Sequence, residues 1–360
     1  MKILQRYVFR ELLLPFALCL IVLNFIFMGG YLVKAAHFII GRGVPFLDTV
    51  YIILLAMPEM IGYTVPTSIL MAVLIVFGNL SQHNELRAMK ASGVHLVQVV
   101  IPVFLVGMIL SFGMFIFNDQ VMGNASFELR RTMKKMLIRF PKALIEPGRF
   151  VKLSDSIIFL AKRVRGDDLI DVIAYEIENA DQPVRTIIAE SGKIISEENS
   201  GKVRIQLYNG SISDAESKGV HTIQFRTYEF PTLGQEDVRN MNKKKRELSL
   251  AEMLVQLADS QMSKDDRREL WTSYHHRIAF ACGSFIFVFI GIPIAILVRR
   301  GEIVLSFGIA MASASFYYVL FAGARTLAIQ GIVTPMISLW IPNVMLLIAG
   351  YYLLKRSVTT

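Results

Sequence analysis

Six stretches of this chain are too apolar and too long to be left in water: Leu12 to Val33, Val50 to Leu80, Val97 to Phe117, Ile278 to Val298, Ile303 to Ala324 and Met336 to Leu354. Each approaches or exceeds the roughly 20 residues a helix needs to cross a hydrocarbon core about 30 Å thick. With 54% hydrophobic and only 19% charged residues, the composition also lies outside the soluble range. The chain therefore reads as an integral membrane protein with six transmembrane helices, three on each side of a long polar middle.

The formal charge of +9 raises the question of a nucleic-acid partner, and its location answers it. From Asp119 to Trp271 there are 25 basic and 24 acidic residues, a balance of +1; the remainder holds 13 against 5. The excess belongs to the membrane flanks, and no basic face is left to bind DNA or RNA. Lys2, Arg6, Arg10, Arg87, Lys90, Arg299, Arg300, Lys355 and Arg356 all fall on one side of the six-span arrangement. The positive-inside rule makes that side cytoplasmic, with both termini inside and the middle region exported. The first apolar run is longer than the core of a cleavable signal, so it is expected to remain as a span. Cys19 and Cys282 both fall inside spans, which leaves the exported region to fold without disulfides.

The expected boundaries are 1–118 for helices 1 to 3, 119–271 for the exported region and 272–360 for helices 4 to 6. Mixed charged and apolar residues from Phe127 to about Arg139 suggest that the third span extends into water. Between about 145 and 230 the texture becomes that of strands: RFVKL, SIIFLAKRV, LIDVIAYEI, RTIIAE, GKIIS, KVRIQLYNG and HTIQFRTYEF, separated by turn chemistry such as GDD, EENSG and NG. Seven or eight antiparallel strands of this spacing predict an all-β, jellyroll-like domain inserted between helices 3 and 4. Beyond Pro231 a polar linker leads to Ser249 and Glu252, spaced as a capping box before an amphipathic run with Leu250, Met253, Leu254 and Leu257 on one face. A further helix starts near Asp265 and runs into the fourth span.

The chain has no Walker A, GxSxG, HExxH or strand-linked GxGxxG pattern, so no catalytic residue and no cofactor is expected. His83 lacks a second histidine at helical spacing, and His275 and His276 point about 100° apart on a helix, so neither place suits a metal. Charges at membrane depth are costly and more informative. Lys34, Glu59, Arg277 and Arg325 lie toward the outer ends of their spans, with Arg42 in the first outer loop. Four of these five are basic, which suits an amphiphile with an anionic head; snorkelling to the interface is the bland alternative. Glu59, next to Pro58 in a span that also holds Pro66, is expected to pair with a basic neighbour such as Arg277 or Arg325.

SQHNELRAMKASGV, Ser81 to Val94, lies on the cytoplasmic side between the second and third spans. Ser81 can cap a helix over Gln82–Ala91, Glu85 suits its dipole, and Gly93 suits its end. Leu86 and Met89 share a face with Glu85 a turn away, the makings of a short docking helix on the membrane surface. A connection alone would need fewer residues.

ELRAMKASGV (Glu85 to Val94), HHRIAF with GIPIAILVRRGE (His275 to Glu302), and the order of three spans, β domain and three spans together resemble the LptF/LptG permeases of the lipopolysaccharide export ABC transporter; the flanks of the third and fourth spans lean toward the LptF side. The resemblance covers nearly the whole chain. It implies a noncatalytic inner-membrane subunit paired with a paralogous permease, with an LptB-type cytoplasmic ATPase dimer, which binds the ATP, docked on the segment that includes Glu85, Leu86 and Met89. It further implies an LptC-type single-span protein and a periplasmic bridge as partners, lipopolysaccharide as cargo, and Lys34 and Arg42 at its anionic head group. The residues themselves also fit an exporter of another amphiphile, a lipoprotein or glycolipid, or a membrane receptor whose β domain binds a protein. Against the receptor, the largest cytoplasmic piece is residues 81–94, too small for an output domain.

Overall fold

The computed structural model describes residues 2–42, 44–139, 147–152, 157–166, 168–179, 182–197, 202–216, 219–230, 238–259, 261–298 and 302–359. They fall into two compact units: Met1–Gly30, Ala56–Phe127 and Lys243–Thr360 form the first, Tyr31–Leu55 and Glu128–Asn242 the second.

The first unit is a helical bundle. Its elements are α1 (Lys2–Arg42), α2 (Phe46–Gln82), α3 (Glu85–Ala91), α4 (Leu96–Phe117), α5 (Gly123–Arg139), α6 (Leu250–Leu257), α7 (Lys264–Ala281), α8 (Gly283–Val298), α9 (Ile303–Gln330) and α10 (Pro335–Thr359), with α1, α2 and α5 continuing into the second unit. Among the described residues, five apolar helical stretches are long enough to cross a membrane, and α7 with α8, bent by 40° at Cys282, makes a sixth. Hydropathy places the spans well because bilayer thickness fixes their length. It also ranks them: α2 is apolar all round and sits at the centre, with Ile69, Leu70, Ala72, Val73 and Phe77 sealed. By contrast, α1 leaves Leu14, Ile21 and Phe25 exposed, and α9 leaves Val304 and Val319 exposed. Polar groups join helices where lipid offers them nothing: the Tyr318 hydroxyl donates to the Tyr63 carbonyl at 2.9 Å, and Tyr317 donates to Asn343 at 2.9 Å.

The third span does continue past the apolar run. Between α4 and α5 the chain makes a π-helical turn, Asn118–Met122, that buries Asn118. The capping box at Ser249 and Glu252 is present, and Met253 is fully buried with Leu250 and Leu257 packed nearby, whereas Leu254 is exposed.

The second unit contains a six-stranded antiparallel sheet in sequence order: β1 (Val151–Lys152), β2 (Ile157–Arg165), β3 (Asp168–Asn179), β4 (Gln182–Glu197), β5 (Lys202–Glu216) and β6 (Gly219–Phe230). The all-β insertion between the third and fourth spans is thus present. The strand count among the described residues is six, because RTIIAE and GKIIS are one strand, β4, and β5 runs straight through the Asn-Gly expected to turn.

Asn209 instead takes a left-handed φ of 50° inside β5, as Asp171 does at 55° in β3. They mark a crease across the sheet. Ala161, Val172, Ala189, Gly210 and Phe225 form one inward row, and Val164, Leu169, Gly192, Leu207 and Tyr228 the next. Inward residues are three apart along each strand there, so two successive residues face out, Lys162 and Arg163 or Tyr208 and Asn209 for example. A strict period of two cannot do this; in β3 and β5 the left-handed residues permit it. Gly210 is required in the first row, since a Cβ would run into the Ile188 carbonyl and stand 2.5 Å from the Phe225 ring. The inward face is closed by Ile138 of α5 and by Val238. A second cluster in the unit packs Val44 and Ile52 against Met136, and Arg139 reaches Asp48 at 3.9 Å.

Candidate functional site

The 81–94 segment holds a helix, with its start shifted from the expected place. α2 continues through Ser81 to Gln82, so Ser81 is inside a helix and caps nothing. The break falls at Asn84, whose φ of 56° suits asparagine's tolerance of the left-handed region, and α3 begins at Glu85. Its C-terminus is a Schellman motif: Val94 N–H reaches the Met89 carbonyl at 3.0 Å, Gly93 N–H the Lys90 carbonyl at 3.0 Å, and Gly93 has φ +80°. Met89 and Val94, the residues such a motif brings together, both pack on the bundle core.

The two faces of α3 differ. Leu86 is 7% exposed and belongs to the main apolar cluster, with Met89 half-buried against it. Arg87, Ala88, Lys90 and Ala91 are exposed, and Glu85 is half-buried with Oε2 accepting from the Tyr7 hydroxyl at 3.3 Å. Leu86 thus ties the helix down, and the exposed face is charged and small.

At the other end of the bundle lies a polar cavity of about 510 Å³. Glu59, Arg277 and Arg325 all line it, yet they do not pair with one another among the described residues. Arg277, 7% exposed, instead donates from Nη1 to Asp119 at 2.6 Å and from Nη2 to the Arg246 carbonyl at 3.1 Å. The same Asp119 oxygen accepts the Leu250 N–H at 2.7 Å, so one carboxylate joins the π turn, α7 and the first turn of α6. Gly123 permits this closure: a Cβ there would stand 2.7 Å from the Glu247 carbonyl oxygen.

Within the cavity Lys245 is matched by Asp266 and Glu269. Arg246 and Arg325 have no carboxylate partner among the described residues, and Arg325 Nε and Asn118 Oδ1 are buried without a hydrogen bond. Glu59 also lacks a bonded partner there. Groups so placed call for water or a ligand, and the unmatched cations favour an anion.

Sequence reasoning brought Glu59, Arg277 and Arg325 to one place and missed Asp119, Arg246 and Asn118. Asp119 directly follows the third apolar run, a position that could have flagged it; its partner 158 residues away was not readable. Lys34 and Arg42 fall within α1, and their side chains lie outside the described residues.

A separate recess of about 410 Å³ between α1, α2 and α9 is wholly apolar, lined by Leu18, Val22, Met71 and Phe307 among others.

The family model described as Lipopolysaccharide export system permease LptF/LptG matches residues 6–356. Among curated proteins, the chain is 21% identical over 257 residues to Uncharacterized protein RP871 of Rickettsia prowazekii (strain Madrid E), which covers 69% of each chain.

Proposed function

This chain belongs to the LptF/LptG family of lipopolysaccharide export permeases, and from that premise we propose that it is the subunit through which a separate ATPase drives lipopolysaccharide out of the membrane. The observation that carries the reading is α3: a helix anchored on one side by Leu86 and Met89 and bare on the other, set between two spans. Motion imposed on its charged face passes into α2 and α4 because Leu86 belongs to the same packed cluster as Phe77 and Val99. Glu85 and Arg87 make the contact with the ATPase; Leu86 and Met89 transmit it.

The cargo reading draws on the apolar recess. Moving a multi-acyl lipid costs roughly 0.8 kcal/mol for each methylene exposed to water, more than a passive carrier can offset over several chains. The apolar recess between α1, α2 and α9 is suited to an acyl chain. Lys34 and Arg42 meet the anionic head group. In this reading the spans lie in the inner membrane with both termini cytoplasmic, the sheet stands in the periplasm, and the chain works beside a paralogous permease, an LptC-type protein and a periplasmic bridge.

Glu85→Ala tests the docking contact: recovery of the ATPase in co-purification and lipid-coupled ATP turnover should both fall, and normal values for both would remove α3 from the coupling path.

A further inference from the structure

A third recess, of about 390 Å³, lies where α7 begins and α9 turns into α10. Lys264, Arg267, Arg268, Trp271 and His275 enter it from α7, and Met336 from the start of α10. The α7 positions recur at intervals of three and four and make one stripe, cationic at its start and aromatic from its third turn. Glu269, Ser273, His276 and Arg277, which line the polar cavity, occupy the other side of the same helix. The two sites are separate.

The stripe matches the layers of a membrane interface. Trp271, 37% exposed and stacked on His275 with centroids 5.6 Å apart, is the residue type enriched at head-group depth. Met336 lines the recess with it and is 65% exposed, and its chain neighbours Ile332 and Ile337 are at least 60% exposed, an apolar wall where acyl chains begin. The cations stand about 4 to 10 Å further along the helix axis, at 1.5 Å per residue.

Their charge is poorly matched from within the chain. Arg268 pairs with Asp265 at 3.1 Å. Among the described residues Arg267 donates only to the neutral Asp259 carbonyl, at 2.8 Å, and its Nε is buried without a partner. Lys264 has no partner among the described residues, and no carboxylate lines the recess. A buried donor with nothing to bond, beside a free ammonium, fits an absent anion, and the apolar wall below requires that anion to carry a hydrocarbon tail.

We propose that this recess binds one anionic glycerophospholipid, its phosphate held by Lys264 and Arg267 and an acyl chain lying along Trp271 and Met336. The occupant comes from the leaflet on the side of residues 119–271 and is a resident lipid, apart from the cargo. The proposal needs only that these helices span a membrane.

Two measurements on the full-length protein test it. In a Trp340→Phe background Trp271 is the one remaining tryptophan, so phosphatidylglycerol with brominated chains should quench its fluorescence. Unlabelled phosphatidylglycerol should relieve the quenching, and phosphatidylcholine should not. Lys264→Gln with Arg267→Gln should weaken retention of phosphatidylglycerol in native mass spectrometry about thirty-fold, taking about a fivefold loss for each head-group cation. Arg185→Gln, on the sheet, should leave retention unchanged. Equal quenching by both lipids would show plain annular contact. Displacement of phosphatidylglycerol by millimolar inorganic phosphate would show a free-anion site, and unchanged retention in the double variant would remove the cations from it. Each of these three results overturns the proposal, and the fluorescence arm reads the intact site even if the double variant fails to fold.

Discussion

Replacing Asp119 with Asn changes one charge and almost no volume, and its effect can be worked from the geometry. The amide oxygen can still accept from the Leu250 N–H, now 2.7 Å from the carboxylate. What is lost is the countercharge 2.6 Å from a guanidinium that is only 7% exposed. Removing one partner of a buried pair costs about 3–5 kcal/mol, and the 21% exposure of the Asp119 side chain places this case near the lower figure. Arg277 then keeps the Arg246 carbonyl and a neutral amide oxygen, with no countercharge beside it. At 1.4 kcal/mol per factor of ten, about 3 kcal/mol raises local opening roughly a hundredfold. Hydrogen exchange should show this at the amides of residues 244–250, with the Leu250 N–H the most direct reporter. Arg277→Met in the same background should recover part of the loss, because the stranded charge is then gone. Exchange at Leu250 accelerated less than tenfold by Asp119→Asn, or an Asp119→Asn/Arg277→Met variant as open as the single one, would refute the view that this pair fastens α6 to the bundle.

Gly210→Ala should disrupt pairing of β4, β5 and β6 at the crease, since the new methyl meets the Ile188 carbonyl and the Phe225 ring; amide exchange unchanged along these strands would count against the close approach. The cap of α6 should respond to acid. The Ser249 backbone N–H, and then the Lys243 ammonium at 3.0 Å, hold the Glu252 carboxyl below the ordinary glutamate value. Its contribution is therefore complete above that ordinary value and is lost as pH falls through the lower folded one. Fraying of residues 250–253 should set in only there, and a carboxyl resonance titrating at the unperturbed value would contradict it.

The spans were legible because membrane thickness is an external ruler, and the β insertion because β-rich runs with turn chemistry stand out between them. The internal layout of the sheet was not legible. Asn-Gly with φ > 0 serves a hairpin and a crease equally well, and only the neighbouring strands decide which. RTIIAE and GKIIS were read as two runs, although Gly192 makes room for Leu207 within one strand, β4. In the segment between the second and third spans, periodicity identified the face shared by Leu86 and Met89 and not its direction, so contacts expected to point outward include one turned into the bundle. Asp119 was hidden differently: a carboxylate just past a span looks like an ordinary interfacial charge until the fold brings Arg277 beside it.

The crease also constrains how the sheet can change in length. On each side of it the inward residues of five strands keep one phase of alternation, and the crease exchanges that phase for the other in all five at the same row. Deleting one residue between the crease and a hairpin would turn that part of its strand over, sending apolar side chains to water and charged ones into the core. Repairing it would need a matching deletion in each neighbour. Insertions and deletions in this domain should therefore collect in the hairpins, while the stretches from β2 to β6 that flank the crease keep a common length.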